Sequence, residues 1–364
     1  MRRVLVVKES VWDVVAFAGL VMVEACTIGL TIMTKTVMAK GMSPFVFVFY
    51  SNALATLIVL FTSIFCHRSV TLKPPPLSFS LVIKFFLLGL TGVAVAQNCA
   101  FTALNYASPI LACAMGHLLP TFSFLLSIIS RNTKLDLRSP SSQAKATGVL
   151  ITAMGATVVV LYKGPPMRNT SPPSPSLQLR LMQHPLLFAS EPEHWVLGAL
   201  FFALANLSVS LWHVIQAGTI KQYSEGMTIL SFYSVFGTIQ SAVLALIIET
   251  EPSAWKLNSR LEITNIVLAA IFGSVIRNNI QGWCVRWKGP VYVAMFKPFG
   301  IVVAVTVGFI FFGTSLHVGS VVGAIIMGIG YYSLMWGQIK EEEIICEDSS
   351  HGTKVPLLQD DSEV

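Results

Sequence analysis

Apolar residues arrive in long blocks along this chain, as in 266–276 and 300–313, with few polar residues returning at the period that would give a helix or strand a wet face. A hydrocarbon core about 30 Å thick takes roughly 20 apolar residues per helix. Ten blocks approach or reach that length: 14–34, 44–66, 79–100, 108–130, 144–162, 195–216, 227–248, 263–284, 291–312 and 318–336. The pattern therefore predicts an all-α polytopic membrane protein with ten transmembrane helices. Between the fifth and sixth blocks, segment 163–194 is rich in Pro and Ser (Pro165, Pro166, Pro172, Pro173, Pro175, Pro185) and reads as an irregular linker. After Trp336 the chain turns polar and acidic, which predicts a disordered tail over 337–364.

Composition sharpens this picture. Hydrophobic residues make up 54% of the 364 and charged residues only 12%, about half the charged share of a soluble domain. The net charge of +6 and pI near 9.0 do not point to nucleic acid, because the basic residues are scattered through short loops and line no single face. The six cysteines show no CxxC spacing and mostly sit in apolar blocks, so neither disulfides nor a metal site is expected. Residues 1–12 are too short and too charged for a cleavable signal, leaving the first block to direct insertion.

Lys and Arg in the connections set the orientation. With the N-terminus in the cytosol, fourteen of them, including Arg2, Arg3, Arg131, Lys134, Arg138 and Lys145, fall on the cytosolic side. Seven fall on the other side: Lys35, Lys40, Lys163, Arg168, Arg180, Lys256 and Arg260. Both termini are thus expected in the cytosol. The loop-borne sequon Asn169-Thr170-Ser171 then faces the lumen or exterior as a weak glycosylation site. The plasma membrane and endomembranes such as the vacuole or endoplasmic reticulum remain open.

An internal repeat divides the chain. Gly41-Met42-Ser43 leads into Phe49-Tyr50-Ser51, as Gly226-Met227-Thr228 leads into Phe232-Tyr233-Ser234. Further on, Gln97, Pro109, Ala114-Met115, Pro120, Gly148 and Gly155 return in order as Gln281, Pro290, Ala294-Met295, Pro298, Gly323 and Gly330. Two five-helix repeats, 1–162 and 195–336, result. Five crossings each make the second inverted relative to the first, a signature of secondary transporters.

The same residues carry a family resemblance. Lys288-Gly289-Pro290-Val291-Tyr292-Val293-Ala294-Met295-Phe296, the run from Gly319 to Gly323 and on through Gly330-Tyr331 to Trp336-Gly337, and Gly41-Met42-Ser43-Pro44, Gln97 and Leu118-Leu119-Pro120 resemble the plant nodulin-like EamA transporters, the Walls-Are-Thin-related group of the drug/metabolite transporter superfamily. The resemblance covers all but the linker and tail. It implies facilitated or proton-linked movement of amino acids or small organic metabolites such as auxin. Glu24, His117 and Lys297 depart from the family pattern, each placing an ionisable group where relatives carry a neutral amide, Asn or a small residue. Ser51 stands where relatives often carry Arg.

Intramembrane polar residues are the candidates for chemistry. Glu24 lies near the middle of the first block, where a charge costs roughly 2.5–3.5 kcal/mol; it is either a substrate or proton group or a protonated carboxyl gluing two helices. His117, three residues before the helix-distorting Pro120, is either a relay or a neutral imidazole bonded to a freed carbonyl. Lys297 precedes Pro298 and is either functional or snorkelling, and Arg277 reads as snorkelling or structurally paired. Gln97 and Gln281 rank above the other amides because the repeat relates them and brings them toward the axis where such folds hold substrate. Pro120 and Pro298 predict paired helix kinks flanking a central cavity, on which Glu24, His117 and Lys297 converge to bind a small-molecule substrate, with protons as possible co-substrate. Walker A, HExxH, GxSxG and aspartate-rich motifs are all lacking, so no enzyme and no cofactor is expected. A non-transporting receptor or scaffold that keeps the same fold is the competing class, and a channel the third.

Overall fold

The computed structural model describes residues 2–67, 79–129, 139–162, 192–220, 226–277, 279–281, 283–284, 292–293, 296–312 and 318–352. Among them the regular elements are all helical. Nine helices of these described residues are long and apolar enough to cross a membrane: α1 (Arg2–Ala39), α2 (Pro44–His67), α3 (Phe79–Tyr106), α4 (Pro109–Met115 followed by Leu118–Ile129), α5 (Pro140–Leu161), α6 (Pro192–Ile220), α7 (Gly226–Ile248), α8 (Arg260–Gln281) and α10 (Val318–Gly352). The ninth block supplies α9 (Phe299–Phe312), described over 14 residues. The linker up to residue 191, with the Asn169 sequon, lies outside the described residues.

Local chemistry sets the helix ends. Gly41 takes φ 105° just past α1, and the Gly41 and Met42 amides bond back to the Met38 and Val37 carbonyls, a Schellman motif that only glycine enters without strain. Ser108 and Ser139 each accept an N–H from the first turn they precede, with Pro109 and Pro140 at the first helical position. Ser259 and Glu262 form a capping box at the start of α8.

The structure moves two boundaries. α10 runs on to Gly352, so the first half of the segment expected to be disordered is helical. The reason is compositional: 338–350 contains no Gly or Pro, and a buried ion pair between Lys145 of α5 and Glu341 anchors its first turn. α1 likewise extends to Ala39, past the block ending at 34. Lys35 is therefore no loop residue; it is buried and donates to the Asn105 carbonyl at 2.6 Å, near the C-terminus of α3.

α5 and α10 pack as a close antiparallel pair. A Cβ placed on Gly148 would lie 2.8 Å from the Gly330 carbonyl, and one on Gly330 would lie 2.8 Å from the Gly148 carbonyl; Gly155 and Gly323 repeat this reciprocity at 3.0 and 2.9 Å. The four glycines that the sequence pairs, Gly148 with Gly323 and Gly155 with Gly330, thus all lie in this one seam. α2 and α7 meet through Thr56 and Thr238, 2.8 Å apart. π-Helical turns span Leu90–Val95 in α3 and Phe272–Arg277 in α8, and end shortly before Gln97 and Gln281.

Candidate functional site

The fourth span breaks where Pro120 requires it. Gly116 and His117 form a turn between the two α4 segments, and Leu119 reaches back only three residues, to the Gly116 carbonyl, at 3.3 Å. The Met115 carbonyl is taken instead by Asn206 of α6 at 3.0 Å, and the Leu119 carbonyl by Ser210 at 3.0 Å. Residues 296–298 form the matching turn before α9: Phe299, Gly300 and Ile301 each bond three residues back, at 3.0–3.1 Å. Both prolines are partly buried. Each removes an amide from the helical ladder, and each break places a titratable side chain at its edge.

Those side chains do not stand alone. Glu24 of α1 and Lys297, beside the α9 break, form an ion pair at 3.1 Å, with side chains 7% and 46% exposed. Gly300, the second residue of α9, lies beside the carboxylate: a Cβ there would sit 3.6 Å from the Glu24 Oε2, in ordinary contact. A charge in hydrocarbon costs several kcal/mol unless paired or wetted, and Lys297 supplies the partner for Glu24. Apolar layers bound the pair on both sides. Ile28, Ile32, Ile110 and Ala304 pack toward the face carrying the α1–α2 turn, and Leu20 with Phe296 toward the other.

His117 is 2% exposed. One ring nitrogen, Nδ1, lies 3.0 Å from the Ala114 carbonyl, while Nε2 has no partner among the described residues and the ring stands edge-on to Tyr331 at 5.1 Å. It lies within electrostatic reach of Lys297, and Cys113, one turn earlier, feels both Glu24 and Lys297. Gln97 is held elsewhere: its Oε1 accepts from Asn52 of α2 at 2.6 Å. Gln281 is half-buried in the last described turn of α8, and no described contact joins it to Gln97. The geometry therefore pairs Glu24 with Lys297, holds His117 at the other break against Tyr331 and the Ala114 carbonyl, and joins neither glutamine to the pair by a described contact.

Comparison with known proteins now adds to this geometry. Residues 16–161 match the model of the EamA-like transporter family. Three WAT1-related proteins of Arabidopsis thaliana are 46%, 43% and 38% identical over 91%, 92% and 93% of this chain and 88%, 90% and 89% of their own length. The chain belongs to the WAT1-related group of the EamA-like transporter family. It is thus a multi-pass member of a transporter family, and irregular backbone within a membrane is tolerated where it is buried in protein or lines a cavity.

Sequence reasoning missed some neighbours of this site. Away from the ion pair, Asn52 also went unread, because nothing local to it announces the bond it donates to Gln97. Tyr331 sits in a tenth-helix run dominated by packing residues, yet lies in the field of Glu24 and against His117. Arg277, expected to snorkel or to pair structurally, ends the π-helical turn of α8 within electrostatic reach of Glu24.

Proposed function

We propose that the chain is a secondary transporter, facilitated or proton-linked, of amino acids or small organic metabolites such as auxin, with substrate held between the Pro120 and Pro298 breaks. The observation that carries this reading is the Glu24–Lys297 pair. An intramembrane carboxylate and ammonium meet beside a helix break, with one partner half exposed, so water or substrate can reach a charge that would otherwise be costly to bury. Glu24, His117 and Lys297 form the substrate group, and Glu24 is the group through which protons would couple. Gln97 and Gln281 belong to the wider path. The ten helices act as two inverted five-helix repeats around this site, with both termini in the cytosol of the plasma membrane or an endomembrane.

The test is flux of labelled amino acids and organic acids into proteoliposomes holding the purified full chain. Uptake at least tenfold above protein-free vesicles is expected for one substrate class. If the folded protein binds such metabolites yet moves none, it is a receptor or scaffold on a transporter fold. Orientation has its own check: a C-terminal tag should survive protease added outside right-side-out vesicles, and cleavage there would contradict cytosolic termini.

A further inference from the structure

The amide that Pro120 lacks is felt one residue further back in α4. In a continuous helix the Gly116 carbonyl would accept from residue 120 and the Met115 carbonyl from residue 119. Pro120 has no N–H to give, so the Gly116 carbonyl takes the Leu119 amide at 3.3 Å, and the Met115 carbonyl loses its ladder partner. Asn206 of α6 fills the gap. Its amide nitrogen donates to the Met115 carbonyl at 3.0 Å and to the Phe202 carbonyl of its own helix at 2.8 Å, which occupies both of its hydrogens. One turn on, the fully buried Ser210 reaches the Leu119 carbonyl at 3.0 Å and meets Ser123 at 3.2 Å. α6 is thus matched to α4 at two points, Asn206 to Met115 and Ser210 to Leu119, one on either side of the His117 turn.

His117 depends on that turn. Its backbone amide and its Nδ1 both face the Ala114 carbonyl at 3.0 Å, an anchor that lasts only while residues 114–117 keep their tight geometry. A Met115 carbonyl left without a donor would be costly in a membrane, and the backbone would shift to find it one. Asn206 also stands in its helix where Glu24 stands in α1, each ten residues before the end of its apolar block, at 216 and 34. Each is a polar side chain in the helix that opens one half of the chain, and each meets a proline break in the other half: Glu24 at Lys297 beside Pro298, Asn206 at Met115 ahead of Pro120. The acid meets its break through a charge, the amide through a backbone carbonyl.

We propose that Asn206 is a positioning residue of the transport site: by holding the Met115 carbonyl it keeps the Pro120 break in register and His117 in place. This rests on the reading of His117 as part of the substrate group. The first arm of the test needs no substrate and compares thermal midpoints of the full chain in lipid nanodiscs for Asn206→Leu, Pro120→Ala and the double variant. Asn206→Leu should lower the midpoint of the parent clearly, and that of the Pro120→Ala chain by less than about half as much, because the restored amide lets the Met115 carbonyl rejoin the ladder. Failure to fold in the parent background alone has the same meaning. An equal drop in both backgrounds, or failure to fold in both, would make Asn206 ordinary helix glue and overturn the proposal. The second arm measures uptake of labelled leucine and labelled auxin into proteoliposomes. Asn206→Leu should raise KM about fivefold or more with kcat little changed, and Asn206→Gln, which keeps the donor, should recover part of that loss. A folded Asn206→Leu chain with the parental KM would overturn the positioning role while the transport reading stands. A parent that moves neither probe would take down both.

Discussion

The seam between α5 and α10 and the site between α1 and α9 solve opposite problems in the same solvent. In the seam, Gly148, Thr152, Gly155 and Val159 lie opposite Leu334, Gly330, Met327 and Gly323, bringing backbones together with no charge until the buried Lys145–Glu341 pair at one end. Without a hydrophobic difference between lipid and side chain, such close packing is what holds membrane helices to each other. At the site, helices are interrupted, a carbonyl is handed to a neighbouring Asn206, and a carboxylate is kept in the membrane by a half-exposed lysine. The seam permits one arrangement. The site keeps groups that a ligand could compete for, and the contrast separates the scaffold from the working part.

The contrast would break most visibly at the seam. Gly148→Leu would put a side chain into a space where even a Cβ lies 2.7 Å from the Leu334 amide, and overpacking against backbone should cost about 3 kcal/mol or more. The expected result is little folded protein and a collapsed melting transition; a variant that melts like the parent would show that the seam is not tight.

The ion pair at the end of the seam sharpens the point. Lys145 is 3% exposed and Glu341 35%. Glu341→Gln strands a buried ammonium and should cost about 3 kcal/mol, whereas Lys145→Met strands a carboxylate that can reach water and should cost about 1 kcal/mol. Equal losses in thermal denaturation of the two variants would contradict this asymmetry.

The smallest effects compare the two π-helical turns. Gly92 in α3 faces the Trp212 ring, with its would-be Cβ 2.7 Å from the indole nitrogen, while a Cβ on Gly273 in α8 would meet nothing within 4 Å. Gly92→Ala should therefore destabilise by about 1–3 kcal/mol, and Gly273→Ala should be neutral or stabilising by up to about 1 kcal/mol. Thermal midpoints of the two variants, side by side, decide it.

Much of the scaffold was legible from the chain. Block length points to the spans because hydrocarbon thickness permits little else, and the glycines that the sequence pairs, Gly148 with Gly323 and Gly155 with Gly330, line the seam where α5 and α10 meet. Pro120 and Pro298 marked the interruptions because proline lacks the amide the ladder needs. What stayed hidden depends on register between helices distant in sequence. Nothing local to Lys35 says that its ammonium reaches Asn105, and nothing local to Arg277 says that it lies in the field of Glu24. The π-helical turns were invisible for a related reason: Leu90–Val95 reads as an ordinary apolar stretch, and the close approach of Gly89 to Gly237 and of Gly92 to Trp212 joins elements distant in sequence. The helical continuation of α10 was missed because polar, acidic composition suits an exposed helix as well as a disordered tail.

The central claim is that the Glu24–Lys297 pair is the heart of a transport site and not helix glue. Glu24→Gln tests it most directly, because the amide keeps the shape beside Gly300 and removes only the charge and the titratable proton. Uptake into proteoliposomes, measured across pH with protein shown to melt like the parent, should fall at least tenfold and lose the pH dependence of the parent. A folded Gln variant that transports at the parental rate with the parental pH profile would make Glu24 structural and contradict the account.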